Sequence, residues 1–318
     1  MTYALTLLYV ALLYVRPGEI LPQLADLPIV AVTGAAAIVS GAGSLLTKPR
    51  PFAQLPNDWA FLGFALAAVL SVPANGWLGG GYVTFIKILP ILTVYLLIRI
   101  SVRTTGQWRR FAGLLVVLTL FQAANGIMQY WTGVGFGNST AYAERYDQGG
   151  DDLMDGQAGT IVRRVRGTGI FGDPNDLAMA LVLVFPFLYT AVLARDEGGG
   201  KRLFALAALG VLSYALFLTQ SRGGLVGLAA VTAAYAYRRT GRIRAVAVAL
   251  VIAGLLLVGA SGRLKEMSSS EDSAQGRIQA WSAGLQMLKS KPALGVGYGA
   301  YTNYHHLVAH NSFVHAFA

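Results

Sequence analysis

LFALAALGVLSYALFLTQSRGGLVGLAAVTAAYAY, residues Leu203 to Tyr237, holds two apolar blocks, Leu203–Thr219 and Gly223–Tyr237, with Arg222 as its single charged residue. A helix needs roughly 20 mostly apolar residues to cross a hydrocarbon core, and each block with its polar neighbours reaches that length. The stretch therefore reads as a transmembrane helical hairpin with almost no loop. An arginine at its mouth sits beside two glycines that let backbones approach closely. Its planar guanidinium either faces a cavity, where it suits a phosphate or diphosphate, or snorkels to the interface.

The same pattern recurs along the chain. Uncharged blocks run Thr2–Val15, Ile29–Leu46, Trp59–Val72, Tyr82–Ile98 (broken by Lys87), Phe111–Trp131, Leu177–Ala194, Leu203–Thr219, Gly223–Tyr237 and Ala245–Ala260, which makes nine expected crossings. Of the 318 residues 55% are hydrophobic and only 13% charged, against about a quarter charged in soluble domains. The fold class expected is all-α, a polytopic integral membrane helical bundle. Residues 1–260 would form the transmembrane part with an outer loop near 132–169, and 261–318 an outer segment with short surface helices. Thr2–Val15 has no basic flank before it, and Arg16-Pro17-Gly18-Glu19 follows where small residues would mark a cleavage site, so it reads as a retained helix. The chain stops after Ala316-Phe317-Ala318, in what reads as the start of another apolar helix, and further spans are expected beyond it.

The chain lacks cysteine altogether, which excludes a disulfide framework, a thiolate metal site and a cysteine nucleophile. The net charge of +10 resides mostly in clusters beside apolar runs, where basic residues orient helices and meet anionic membrane lipids rather than nucleic acid. Arg99, Arg103, Arg109 and Arg110 fall in one joint, and Arg238, Arg239, Arg242 and Arg244 in another, with no acidic residue in either. Both joints are expected in the cytoplasm. Strict alternation then places Asn138–Gly167, with its five carboxylates, and everything after Ala260 on the outer face.

Chemistry belongs on that outer face. Gly276 to Leu288 has helical spacing, with Ile278, Trp281, Leu285 and Leu288 on one side, and reads as a helix along the membrane surface with Trp281 as interface anchor. Arg277 lies on its polar side and by itself reads as a solvated charge. The Ser268–Ser273 run before it reads as a flexible loop, and Gly295-Val296-Gly297-Tyr298-Gly299 as a tight turn rather than a dinucleotide fingerprint. His305, His306, His310 and His315 show no metal-ligand spacing; His310, beside Asn311, would suit proton abstraction from a hydroxyl, or is a surface histidine. Asp173 or Asn175 can cap the helix that starts at Pro174. Asp151, Asp152 and Asp155 read as a hydrated loop. Lys87, a lone cation near the outer end of its helix, either lines a cavity or snorkels.

Ser221-Arg222-Gly223-Gly224, Gly276-Arg277 with Trp281, Lys291-Pro292 with Gly295-Val296-Gly297, and His310-Asn311 occur in this order on one side of a multi-span chain. The ordered set, with Gly172-Asp173-Pro174-Asn175 upstream, resembles the bacterial O-antigen ligase and polymerase superfamily. The resemblance covers about Gly167 to the end. It implies a GT-C-like glycosyltransferase of the bacterial inner membrane, acting in lipopolysaccharide or other surface polysaccharide biosynthesis on an undecaprenyl-diphosphate-linked glycan donor at the periplasmic face. By that resemblance Arg222 and Arg277 hold the donor diphosphate, His310 activates the acceptor hydroxyl, and neither metal nor cofactor is required. Asn311 and Lys87 join the substrate-binding set. The acceptor would be a glycan, lipid A-core or a protein. Two other classes compete: a lipid-linked saccharide flippase, which should carry midplane cations and repeated halves, and a structural membrane subunit.

Overall fold

The computed structural model describes residues 1–47, 56–146, 160–194, 198–241, 270–306, 309 and 312–317. They form an all-α polytopic membrane protein, in which six described helices are long and apolar enough to cross a membrane. These are α3 (Ile29–Thr47), α4 (Pro56–Ala74), α5 (Leu78–Ser101), α6 (Thr105–Thr132), the pair α7 (Pro174–Leu183) and α8 (Phe185–Leu193), and α9 (Gly199–Leu218). They answer the second to seventh apolar blocks. The first block forms α1 (Thr2–Val15), a helix of 14 residues, and a single turn, α2 (Pro17–Ile20), follows it. The eighth forms α10 (Arg222–Thr240), 19 residues long with Arg238 and Arg239 in its last turn. The ninth lies outside the described residues.

The chain divides into two compact units. One contains Tyr3–Ala37 and Val102–Lys265, the other Ile38–Ser101 and Glu266–Ala318.

In the first unit, α6, α7, α8, α9 and α10 pack together around the fully buried Leu177, Leu181, Val184, Leu212, Leu216 and Leu218. α6 begins before its apolar block because Thr104 and Gln107 form a reciprocal capping box, and it ends at Gly133 in the left-handed conformation (φ 81°). Pro186, in the first turn of α8, has no N–H to continue the ladder from α7, so one span is built as two helices. Three amide side chains, Gln122, Asn125 and Gln129, lie fully buried on one face of α6. Buried amides are costly unless hydrogen-bonded, and here each binds loop backbone. Thr168 N donates to Gln122 Oε1 (2.9 Å), Phe136 N to Asn125 Oδ1 (2.6 Å) and Arg166 N to Gln129 Oε1 (3.1 Å).

The outer loop expected between α6 and α7 contains an antiparallel ribbon, β1 (Tyr142–Tyr146) with β2 (Thr160–Arg164), in register Tyr142 opposite Arg164 and Tyr146 opposite Thr160. Sequence reading had no strand there. The amide face of α6 takes the loop backbone on either side of the ribbon, satisfying polar groups that a ladder would otherwise satisfy.

In the second unit α4 and α5 form a hairpin. Asp58, in the first turn of α4, is buried, and Arg99 in the last turn of α5 meets it through two bonds, Nε to Oδ1 (2.9 Å) and Nη2 to Oδ2 (2.8 Å). Tyr95 donates to the same carboxylate. The C-terminal helices are α11 (Ser270–Ser290), α12 (Tyr301–Tyr304) and α13 (Ser312–Phe317). The start of α11 corrects the loop reading of Ser268–Ser273, since Ser270 to Ser273 are helical.

Candidate functional site

Arg222 is the first residue of α10, and its side chain is exposed. The turn that delivers it, Thr219-Gln220-Ser221, is held by hydrogen bonds of the Thr219 and Ser221 hydroxyls. Thr219 Oγ1 donates to Leu216 O (2.7 Å) and accepts from Ser221 N (3.2 Å). Gln220 adopts φ 55°, a left-handed conformation that costs a non-glycine residue about 1 kcal/mol or more. Ser221 caps α10: its Oγ accepts from Gly224 N (3.1 Å) and donates to Asn175 Oδ1 (2.8 Å). A Cβ on Gly224 would stand 2.7 Å from the Cβ of Ala178 and 3.0 Å from Leu216 Cδ1, so glycine is what lets α10 reach α7.

Asn175 joins this turn to the start of α7. Asp173 is the helix cap, accepting from Asn175 N (2.7 Å), with Pro174 behind it in the first turn. The Asn175 side chain therefore does something else. Its Oδ1 takes bonds from Ser221 and from Arg164 Nη2 (2.9 Å), while Arg164 Nε donates to Thr219 O (3.1 Å). Gly172-Asp173-Pro174-Asn175 and Ser221-Arg222-Gly223-Gly224, separate pieces in sequence, are two sides of one network. Arg164 was not among the residues singled out. Its signal is the Arg163-Arg164-Val165-Arg166 run, which continues β2 alongside α9 through Val165 N to Leu218 O (3.3 Å).

In the second unit Arg277 lies on α11; its side chain, together with His310 and Asn311, falls outside the described residues. Other residues of α11 and of the segment after it are described. Trp281 Nε1 donates to Ala309 O (2.7 Å), an internal acceptor for an indole expected at the interface. Tyr301, whose buried phenol is pushed above its ordinary pKa, donates to Ala280 O and packs its ring 4.8 Å from that of His315. The face of α11 with Ala280, Gly284 and Met287 is buried, and that with Ile278 and Leu285 is exposed.

The glycine turn is as tight as expected, with φ 64° at Gly295, 114° at Gly297 and 77° at Gly299. It docks on the end of α4. Asn75 Nδ2 donates to Ser71 O (2.7 Å) and Gly295 O (3.1 Å), and Tyr298 N donates to Ser71 Oγ (2.9 Å). Lys291 donates to Asn75 Oδ1 and so serves to hold this turn. Lys87 is exposed on α5. Among the described residues no group of three or more His, Asp or Glu is placed to hold a metal ion. Asp151, Asp152 and Asp155 lie outside them.

Comparison with curated proteins and with solved structures yields no match. Residues 204–318 match the family model described as O-Antigen ligase, a segment that begins within α9 and takes in Arg222, Arg277, His310 and Asn311. Over that segment the chain is similar to the O-antigen ligases, and the match supports the O-antigen ligase and polymerase superfamily for it.

Proposed function

We propose that the protein is a glycosyltransferase of the bacterial inner membrane that moves a glycan from an undecaprenyl-diphosphate-linked donor to an acceptor hydroxyl at the periplasmic face. The observation that carries this reading is the family match across residues 204–318. Supporting it, the capped turn Thr219-Gln220-Ser221 leaves the Arg222 side chain exposed at the head of α10.

In this reading Arg222 and Arg277 bind the donor diphosphate and stabilise its charge as the bond between sugar C1 and the phosphate oxygen breaks. His310 takes the proton of the acceptor hydroxyl, whose oxygen forms the new glycosidic bond. Asn311 and Lys87 assist substrate binding. The arginines supply the positive charge, so the step runs without a metal.

The test is transfer from a lipid-diphosphate-linked oligosaccharide in membranes holding the full-length protein, with EDTA present. Wild type is expected to transfer glycan, and Arg222→Ala, Arg277→Ala and His310→Ala each to lose about a hundredfold or more. Variants with full activity would overturn the residue assignment. A wild type that transfers nothing while a known ligase works alongside would favour a flippase or a structural subunit. The size and attachment of the product separate ligase, polymerase and protein O-oligosaccharyltransferase activities.

A further inference from the structure

Gln220 carries two costs in the turn before Arg222. Its φ of 55° lies in the left-handed region that glycine enters freely and other residues do not. Its Oε1 is buried with no hydrogen-bond partner among the described residues, which adds the desolvation of an unmet acceptor. Backbone held this way persists only where its surroundings over-determine it, and such residues cluster at functional sites. Here the surroundings are two braces, both within the first unit. Arg164, the last residue of β2, donates from Nε to Thr219 O (3.1 Å), on one side of Gln220. Asn175, in the first turn of α7, accepts at Oδ1 from Ser221 Oγ (2.8 Å), on the other side. Arg164 Nη2 donates to the same Oδ1 (2.9 Å) and so joins the two braces. Thr219 and Ser221 are buried, so neither can exchange its brace for water. Arg222 follows as the first residue of α10, and the braces thereby fix the backbone from which its side chain projects.

We propose that Arg164 and Asn175 are positioning residues for Arg222: by clamping the residues on either side of Gln220, they hold the turn in its left-handed form and set where the Arg222 guanidinium meets the donor. The proposal rests on the reading above, in which Arg222 binds the donor diphosphate. Both braces act through Arg222, so their loss matters only while that guanidinium is present.

The experiment measures kcat/KM for a lipid-diphosphate-linked oligosaccharide with the full-length protein in membranes, at matched protein levels. Asn175→Leu keeps the side-chain volume and removes the shared acceptor, while Arg164→Lys keeps the charge and removes the fork that reaches both Thr219 and Asn175. Each is expected to lower kcat/KM about tenfold, because misplacing a group that binds the reacting centre costs rate. In an Arg222→Ala background neither should lower the residual rate further, since the effect passes through that side chain. Adding Gln220→Gly to Asn175→Leu should recover roughly threefold, because glycine takes the left-handed form without a brace. Unchanged kcat/KM in both single variants, with Arg222→Ala impaired, overturns the proposal and leaves the functional reading standing. A further fall in the Arg222→Ala background, no recovery with Gln220→Gly, or failure of both single variants to accumulate in membranes assigns the braces a general structural role and also overturns it. Full transfer by Arg222→Ala instead sinks the functional reading, and the proposal with it.

Discussion

Gly224 shows how one missing Cβ decides a contact between helices. Its α-carbon faces Ala178 and Leu216 closely enough that a methyl group would have nowhere to go, and the obstructing Cβ of Ala178 is fixed to the backbone of α7. Gly224→Ala is expected to destabilise the protein by about 1–3 kcal/mol, as overpacking does, visible as a lower midpoint in thermal unfolding of the detergent-solubilised protein. An unchanged midpoint would mean that α7 and α10 can separate freely. The sequence made Gly223-Gly224 legible as a close approach but left its partner open. Asn175 is a sharper case. Reading along the chain, it competes with Asp173 for the cap; in the structure Asp173 caps, and Asn175 Oδ1 accepts from Ser221 and Arg164. That role depends on residues far apart in sequence, which no local pattern encodes.

At the scale of elements, apolar runs located the spans well because a hydrocarbon core constrains helix length and composition more than any other environment. What they could not locate is the polar chemistry inside the spans. Gln122, Asn125 and Gln129 interrupt an otherwise apolar block, yet their spacing shows only that they share a face; that the face receives loop backbone emerges in three dimensions. Arg99 likewise reads as one of the basic residues that orient the chain, while its guanidinium is committed to Asp58 across the α4–α5 hairpin. Asp58→Asn keeps the shape and removes the charge. It should destabilise the protein by about 2 kcal/mol, between the values for exposed and buried pairs, because Arg99 is partly exposed. Limited proteolysis in detergent would register this as faster cutting between α4 and α5, and unchanged protection would show the pair to be dispensable.

At the scale of the molecule, orientation is the property the function needs most. The absence of cysteine from these 318 residues makes it measurable, since a thiol introduced among them is the only one there. Thr105→Cys, in the basic joint between α5 and α6, is expected to resist a membrane-impermeant maleimide in intact spheroplasts and to react after permeabilisation. Thr140→Cys and Lys289→Cys should react in both; all three positions are exposed in the fold. The opposite pattern would place Arg222 on the cytoplasmic side and remove the basis for periplasmic transfer.

Membrane class, helix positions, the tight glycine turn and the ordered set of arginine and histidine motifs were determined by the sequence alone. Each follows from composition or from spacing within a few turns, where the physics is local. Only the tertiary structure decided which motif touches which: Arg164 and Asn175 bracing the turn before Arg222, Lys291 spent on Asn75, and Trp281 holding the residue before His310. Hydrogen bonds of this kind join atoms brought together by helix packing, and packing is fixed by the sum of many buried contacts rather than by any segment that can be read in isolation.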